Sequence, residues 1–123
     1  MDTYRGLLKL NCTTVPETPT ETRSECHAWG SIAIYEFSAT VLGVRTENVA
    51  EKSISVKPYI KGRDYAKGTV STIAGDVYVC WKKENGVFTI DISSVNDCDK
   101  VVYLPDGTSV TITDKEASLT CNI

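Results

Sequence analysis

Residues 77–92 read VYVCWKKENGVFTIDI. Val77, Val79 and Trp81 alternate with Tyr78, Cys80 and Lys82. A period of two sends successive side chains to opposite faces of a strand. Asn85-Gly86 then interrupts the run. Both residues accept the left-handed backbone that a tight hairpin turn requires. Beyond the turn, Phe88, Ile90 and Ile92 alternate with Val87, Thr89 and Asp91. The stretch predicts a β-hairpin with one apolar face.

The same pattern extends outward on both sides. Toward the C-terminus lie Val101 to Leu104, the turn Pro105-Asp106-Gly107, then Val110 and Ile112, then Leu119, Cys121 and Ile123. Toward the N-terminus lie the turn Gly75-Asp76 and the β-branched run from Gly68 to Ile73. Ile54, Val56 and Ile60 alternate around Pro58, which suits an edge strand. Short strands at this spacing predict a mainly β chain, an antiparallel β-sandwich of about seven strands. Two packed sheets need one apolar face per strand, and these strands supply it.

Before Glu47 the period changes. Residues 11–23 carry Pro16, Pro19 and five threonines. Each proline keeps the residue before it out of helical angles, so this is an extended loop. Thr22-Arg23-Ser24-Glu25 has the spacing of a capping box. Two apolar rows follow: Ala28, Ile32, Tyr35, Ala39 and Leu42, and Trp29, Ala33, Phe37 and Val41. Steps of three and four predict one helix over about Glu25 to Leu42, with Gly43 as its left-handed terminator. A helix apolar on two rows expects partners on more than one side. Tyr4 to Leu10 is a shorter apolar run, too brief for an independent helix. Composition therefore divides the chain into residues 1–46, a loop and a helix, and residues 47–123, a sandwich able to bury its own core.

Several function classes are disfavoured. A formal net charge of −3 leaves no basic stripe for nucleic acid. No run reaches the ~18 apolar residues of a membrane span. No leader pattern follows Met1, and the chain reads as a piece of something longer. Five cysteines, an odd number, argue against a complete disulfide framework and leave the compartment open. Asn11-Cys12-Thr13 fits the glycosylation acceptor pattern, a short one. There is no zinc spacing, no calcium loop around Asp97, Asp99 and Asp106, no phosphate loop and no nucleophile elbow. No metal or cofactor is expected.

The loop-to-helix junction holds the candidate chemistry. His27 is the only histidine, Trp29 lies two residues on, and Glu17, Glu21, Glu25 and Glu36 are near in sequence. TTVPETPTETRSECHAWGS (13–31), with the helix ending VLGVR (41–45), resembles the end of the catalytic domain of bacterial α-L-rhamnosidases. Weaker likeness runs through KPYIKGRDYAKGTVSTIAGDVYVCWKKENGVFTIDIS (57–93) and VVYLPDG (101–107).

The resemblance implies that residues 1–46 are the tail of an (α/α)6 barrel and that a C-terminal β-sandwich follows. Most of the barrel is absent from this chain. The family hydrolyses rhamnosides with inversion, which takes one carboxyl to protonate the leaving oxygen and one to activate water, about 6.5–9.5 Å apart. Glu17 matches the family's general base, with Glu21 as the rival if the proline loop shifts the register. His27 matches a histidine that hydrogen-bonds the sugar, and Trp29 a tryptophan that walls it. The partner acid has no counterpart here, so the chain alone is expected to be inactive. The implied partner is a carbohydrate, a rhamnoside. Self-association through the helix is also expected, and a bacterial periplasmic or cytoplasmic setting. The alternative is a stand-alone sandwich that binds carbohydrate or protein, with a helical arm. Without the resemblance, Glu17 is an exposed loop carboxylate, His27 a capping or structural histidine, and Trp29 core packing.

Overall fold

The structure, a computed structural model, describes residues 2–18, 24 and 26–123. The chain forms two compact units, Met1–Glu36 and Phe37–Ile123.

The second unit holds two four-stranded sheets. One contains β1 (Val44–Asn48), β2 (Ser53–Val56), β6 (Lys100–Tyr103) and β7 (Ser109–Ile112), in the order β1-β2-β6-β7. The other contains β3 (Tyr65–Thr72), β4 (Gly75–Glu84), β5 (Val87–Ser94) and β8 (Glu116–Asn122), in the order β3-β4-β5-β8. The fold is the expected mainly β sandwich, with eight strands.

The decisive hairpin forms as its alternation requires. Val79 faces Ile92 and Trp81 faces Ile90 across the β4–β5 ladder. Asn85 and Gly86 take φ of 52° and 77°, the left-handed pair that a two-residue turn needs. Val77, Val79, Trp81, Phe88, Ile90 and Ile92 are all buried. They pack with Ile54, Val56, Val102 and Ile112 of the other sheet in one core. The Trp81 and Phe88 rings meet at 6.0 Å between centroids, tilted by 33°.

Three details depart from the sequence expectation. First, β2 pairs with β6 in parallel, Ile54 opposite Lys100 and Val56 opposite Val102. Second, β2 ends at Val56 and lies between two neighbours, so Pro58 falls outside the ladder and marks no edge strand. Third, there is no single helix over 25–42. A 3-10 turn (Ala28–Ser31), a short α-helix (Ile32–Glu36, α2 below) and a π-turn (Phe37–Val41) follow one another. The cap proposed on Thr22 and Glu25 lies outside the described residues.

Local chemistry explains the broken helix. The Ser31 hydroxyl donates to the Ala28 carbonyl, a local bond that competes with helical ones. At the other end the Leu42 N–H reaches back five residues, to Phe37 O at 2.9 Å. The Val41 carbonyl is taken instead by the indole N–H of Trp81 at 2.9 Å. Gly43 then turns with φ of +80°, where a Cβ would sit 2.2 Å from the Lys57 carbonyl carbon. Leu42 drops onto β3 at Gly68, whose own Cβ would come within 2.9 Å of Leu42 Cδ1. The π-turn is thus the form that lets Leu42 and Val44 enter the core while Trp81 is satisfied.

Candidate functional site

The first unit holds the sequence-predicted residues. It opens with α1 (Asp2–Lys9), a helix where the run from Tyr4 to Leu10 had read as too brief for an independent one. Asn11, at φ of 56°, ends it. Cys12 N–H bonds Leu7 O at 3.1 Å and Asn11 N–H bonds Leu8 O at 3.1 Å, the paired closure that a left-handed terminal residue permits. Asn11 of the glycosylation pattern therefore serves in the backbone as a helix stop.

The chain then doubles back on itself. Glu17 N–H donates to Ser24 O at 3.0 Å, and His27 N–H donates to Val15 O at 2.8 Å. These two bonds hold the segments around Glu17 and His27 side by side. His27 O accepts from Gly30 N–H at 3.1 Å and so starts the 3-10 turn. Gly30 is required there, because a Cβ would lie 2.6 Å from Val15 Cγ1 and 2.7 Å from Pro16 O. The Tyr4 hydroxyl donates to Gly30 O at 2.7 Å and ties α1 to the same turn.

A cavity of about 190 Å³ lies in this unit. Thr3, Tyr4 and Leu7 of α1 form one wall; Val15, Pro16, Glu17, Thr18 and Gly30 form the other. Glu17 is half-buried at its edge. His27 is half-buried on the neighbouring segment, with Nδ1 shut off from solvent, and is not among the lining residues. Trp29 sits in the 3-10 turn, and its side chain lies outside what is described. Glu21, Arg23 and Glu25 lie outside the described residues. The fold thus pairs the segments of Glu17 and His27 through the Glu17–Ser24 and His27–Val15 backbone bonds, while of the two residues only Glu17 lines the cavity. Tyr4 is the member that sequence reasoning missed, because α1 had no motif of its own.

The cavity is lined by one carboxyl-bearing residue, Glu17, and by three hydroxyl-bearing ones, Thr3, Tyr4 and Thr18. Among the described residues, no group of His, Cys, Asp and Glu could hold a metal ion. No helix among them is long and apolar enough to cross a membrane. The five cysteines are unbridged.

Comparison with solved structures gives the same fold in three α-L-rhamnosidases. That of Dictyoglumus thermophilum aligns with a TM-score of 0.76 at 17% identity, over 95% of this chain and 17% of its own. That of Aspergillus terreus gives 0.79 at 15% identity, over 93% of this chain and 15% of its own. That of Streptomyces avermitilis, complexed with L-rhamnose, gives 0.70 at 18% identity, over 86% and 12%. The chain therefore spans less than a fifth of each of these proteins. Comparison with curated proteins gives no match. Residues 43–118 match the family described as bacterial alpha-L-rhamnosidase C-terminal domain. That is more than half of the chain, and the chain belongs to this family.

Proposed function

We propose that the chain is the C-terminal part of an enzyme that removes terminal α-L-rhamnose from glycosides or polysaccharides with inversion. On this reading the first unit is the tail of its helical-barrel catalytic domain, and the sandwich, whose first strand starts at Val44, is its trailing domain. Glu17 is the general base, His27 hydrogen-bonds a sugar hydroxyl, and Trp29 walls the sugar. The observation that carries the assignment is the backbone pairing of Val15 and Glu17 with His27 and Ser24. It sets a half-buried carboxylate at a cavity edge next to the histidine segment. An inverting hydrolase also needs a second carboxyl on the far side of the sugar. That acid belongs to the rest of the barrel, so the 123-residue chain alone is inactive.

Steady-state kinetics of the parent enzyme on an aryl α-L-rhamnoside test this. A positioned general base contributes about 10²–10⁴ in rate, so Glu17→Gln should lower kcat by that factor with little change in KM. His27→Ala should act mainly on KM. Glu21→Gln should stay near wild type. Loss of kcat in Glu21→Gln with a normal Glu17→Gln would move the base to Glu21. Two normal variants would refute the site.

The isolated chain should also self-associate. Ile32, Ile34 and Tyr35 of α2 are 57%, 67% and 56% exposed, an apolar concentration unusual for a free surface. Sedimentation should show dimers at micromolar concentration, and Ile34→Lys should return the chain to monomer. A monomeric wild-type chain refutes this contact.

A further inference from the structure

The outer face of the β1-β2-β6-β7 sheet carries a groove of about 470 Å³, within the size range of small-ligand sites. Arg45 and Glu47 reach it from β1, Ser55 from β2, and Lys57 and Tyr59 from the segment after β2. Tyr103 closes it from β6. We propose that this groove is a saccharide-binding site selective for carboxylate-bearing sugars, that is, uronate units of a glycan. The proposal is independent of the role given to Glu17.

The argument begins with charge. Two cations face one carboxylate in this groove, while the whole chain is at −3. The cations are also held in place. Arg45 Nε donates to Ala39 O at 3.0 Å, which anchors one edge of the guanidinium and presents the other. Lys57 Nζ stands 5.4 Å from the centre of the Tyr103 ring, a cation–π distance. The backbone under them is pinned as well: Lys57 N–H bonds Gly43 O at 2.8 Å, and Tyr59 N–H bonds Thr40 O at 2.9 Å.

Shape and surface complete the case. Tyr59 and Tyr103 are 49% and 40% exposed; Lys57 Nζ already covers one face of the Tyr103 ring, so Tyr59, in the same groove, supplies the stacking surface. An aromatic face suits the C–H face of a pyranose, and its hydroxyl hydrogen-bonds at the rim. A guanidinium and an ammonium beside it suit a carboxylate, through charge-assisted hydrogen bonds. A neutral sugar would use the ring and waste the cations. A simple anion would use the cations and waste the ring. A uronate uses both, and Ser55 on the floor offers a further hydroxyl contact.

The test is amide NMR titration of the intact chain with trigalacturonic acid. Maltotriose is the neutral control and a tri-glutamate peptide the carboxylate without sugar. The uronate should shift signals around Arg45, Lys57 and Tyr103, at millimolar concentration or below. Arg45→Met and Lys57→Met should each weaken it about tenfold or more, as loss of a charge-assisted bond predicts. Lys67→Met, the same charge change on the other sheet, should leave it unaltered. Raising salt should weaken it, since the cations are exposed to solvent. No shift with the uronate overturns the proposal. Equal weakening by Lys67→Met also overturns it, by making the attraction general. Equal binding of maltotriose, or of the peptide at the same residues, removes uronate selectivity and overturns it too.

Discussion

At the scale of single residues, the fold turns on a few polar atoms and one glycine. Trp81 is fully buried, yet its indole N–H finds a partner in the Val41 carbonyl. Trp81→Phe keeps an aromatic ring in the core and strands that carbonyl. A buried polar group left unpaired costs about 1–3 kcal/mol. For a domain of this size that is a fall in Tm of roughly 4–20 °C, measurable by calorimetry. An unchanged Tm would mean that the Val41 bond contributes nothing. Asp106 is the opposite case, an exposed acid whose chemistry is local. The Thr108 hydroxyl, at 2.7 Å, and then its N–H, at 2.9 Å, hold the carboxyl below the usual aspartate range. A folded value below the unfolded one means that the turn's contribution is present above the ordinary aspartate range. It is lost as pH falls through the folded value. Thr108→Val removes the larger cause, so a carboxyl NMR titration should show Asp106 titrating at higher pH. An unmoved titration would reject this origin. Neither contact was legible in sequence. Val41 and Trp81 stand 40 residues apart, and nothing near Trp81 announces its acceptor.

At the scale of elements, strands were legible and the helix was not, for one physical reason. A strand writes its burial one residue at a time, so Val77, Val79 and Trp81 against Phe88, Ile90 and Ile92 could be read directly. Apolar steps of three and four are shared by 3-10, α and π turns. Choice among those turns was made by the Ser31 hydroxyl, the Trp81 indole and the crowding at Gly43. Parallel pairing of β2 with β6 left no local mark either, because its partners are more than 40 residues apart. The candidate site divides in the same way. Glu17 and His27 came from resemblance in a motif, whereas spacing alone would have left them a loop acid and a cap. The groove of Arg45, Lys57 and Tyr103 is assembled from separate strands, so no sequence window contains it.

At the scale of the whole molecule, the question is where the sandwich begins. A change of period placed the boundary near Glu47, yet Glu47 lies inside β1 (Val44–Asn48). Contacts group the chain from Phe37 onward. Leu42 and Val44 belong to the sandwich core, Val41 packs against it, and Val41 O serves Trp81. A segment starting at residue 47 would lose that acceptor, two core side chains and most of an edge strand. Core deletions of Leu or Val size cost about 1–4 kcal/mol each, against the 5–15 kcal/mol that stabilises a typical domain. The segment 37–123 should therefore melt in one cooperative transition. The segment 47–123 should melt far lower or show no transition. Thermal melts by circular dichroism on the two segments decide it. Equal melting temperatures would show that the π-turn and β1 contribute nothing to the sandwich. A non-cooperative 37–123 would show that the sandwich depends on residues before Phe37.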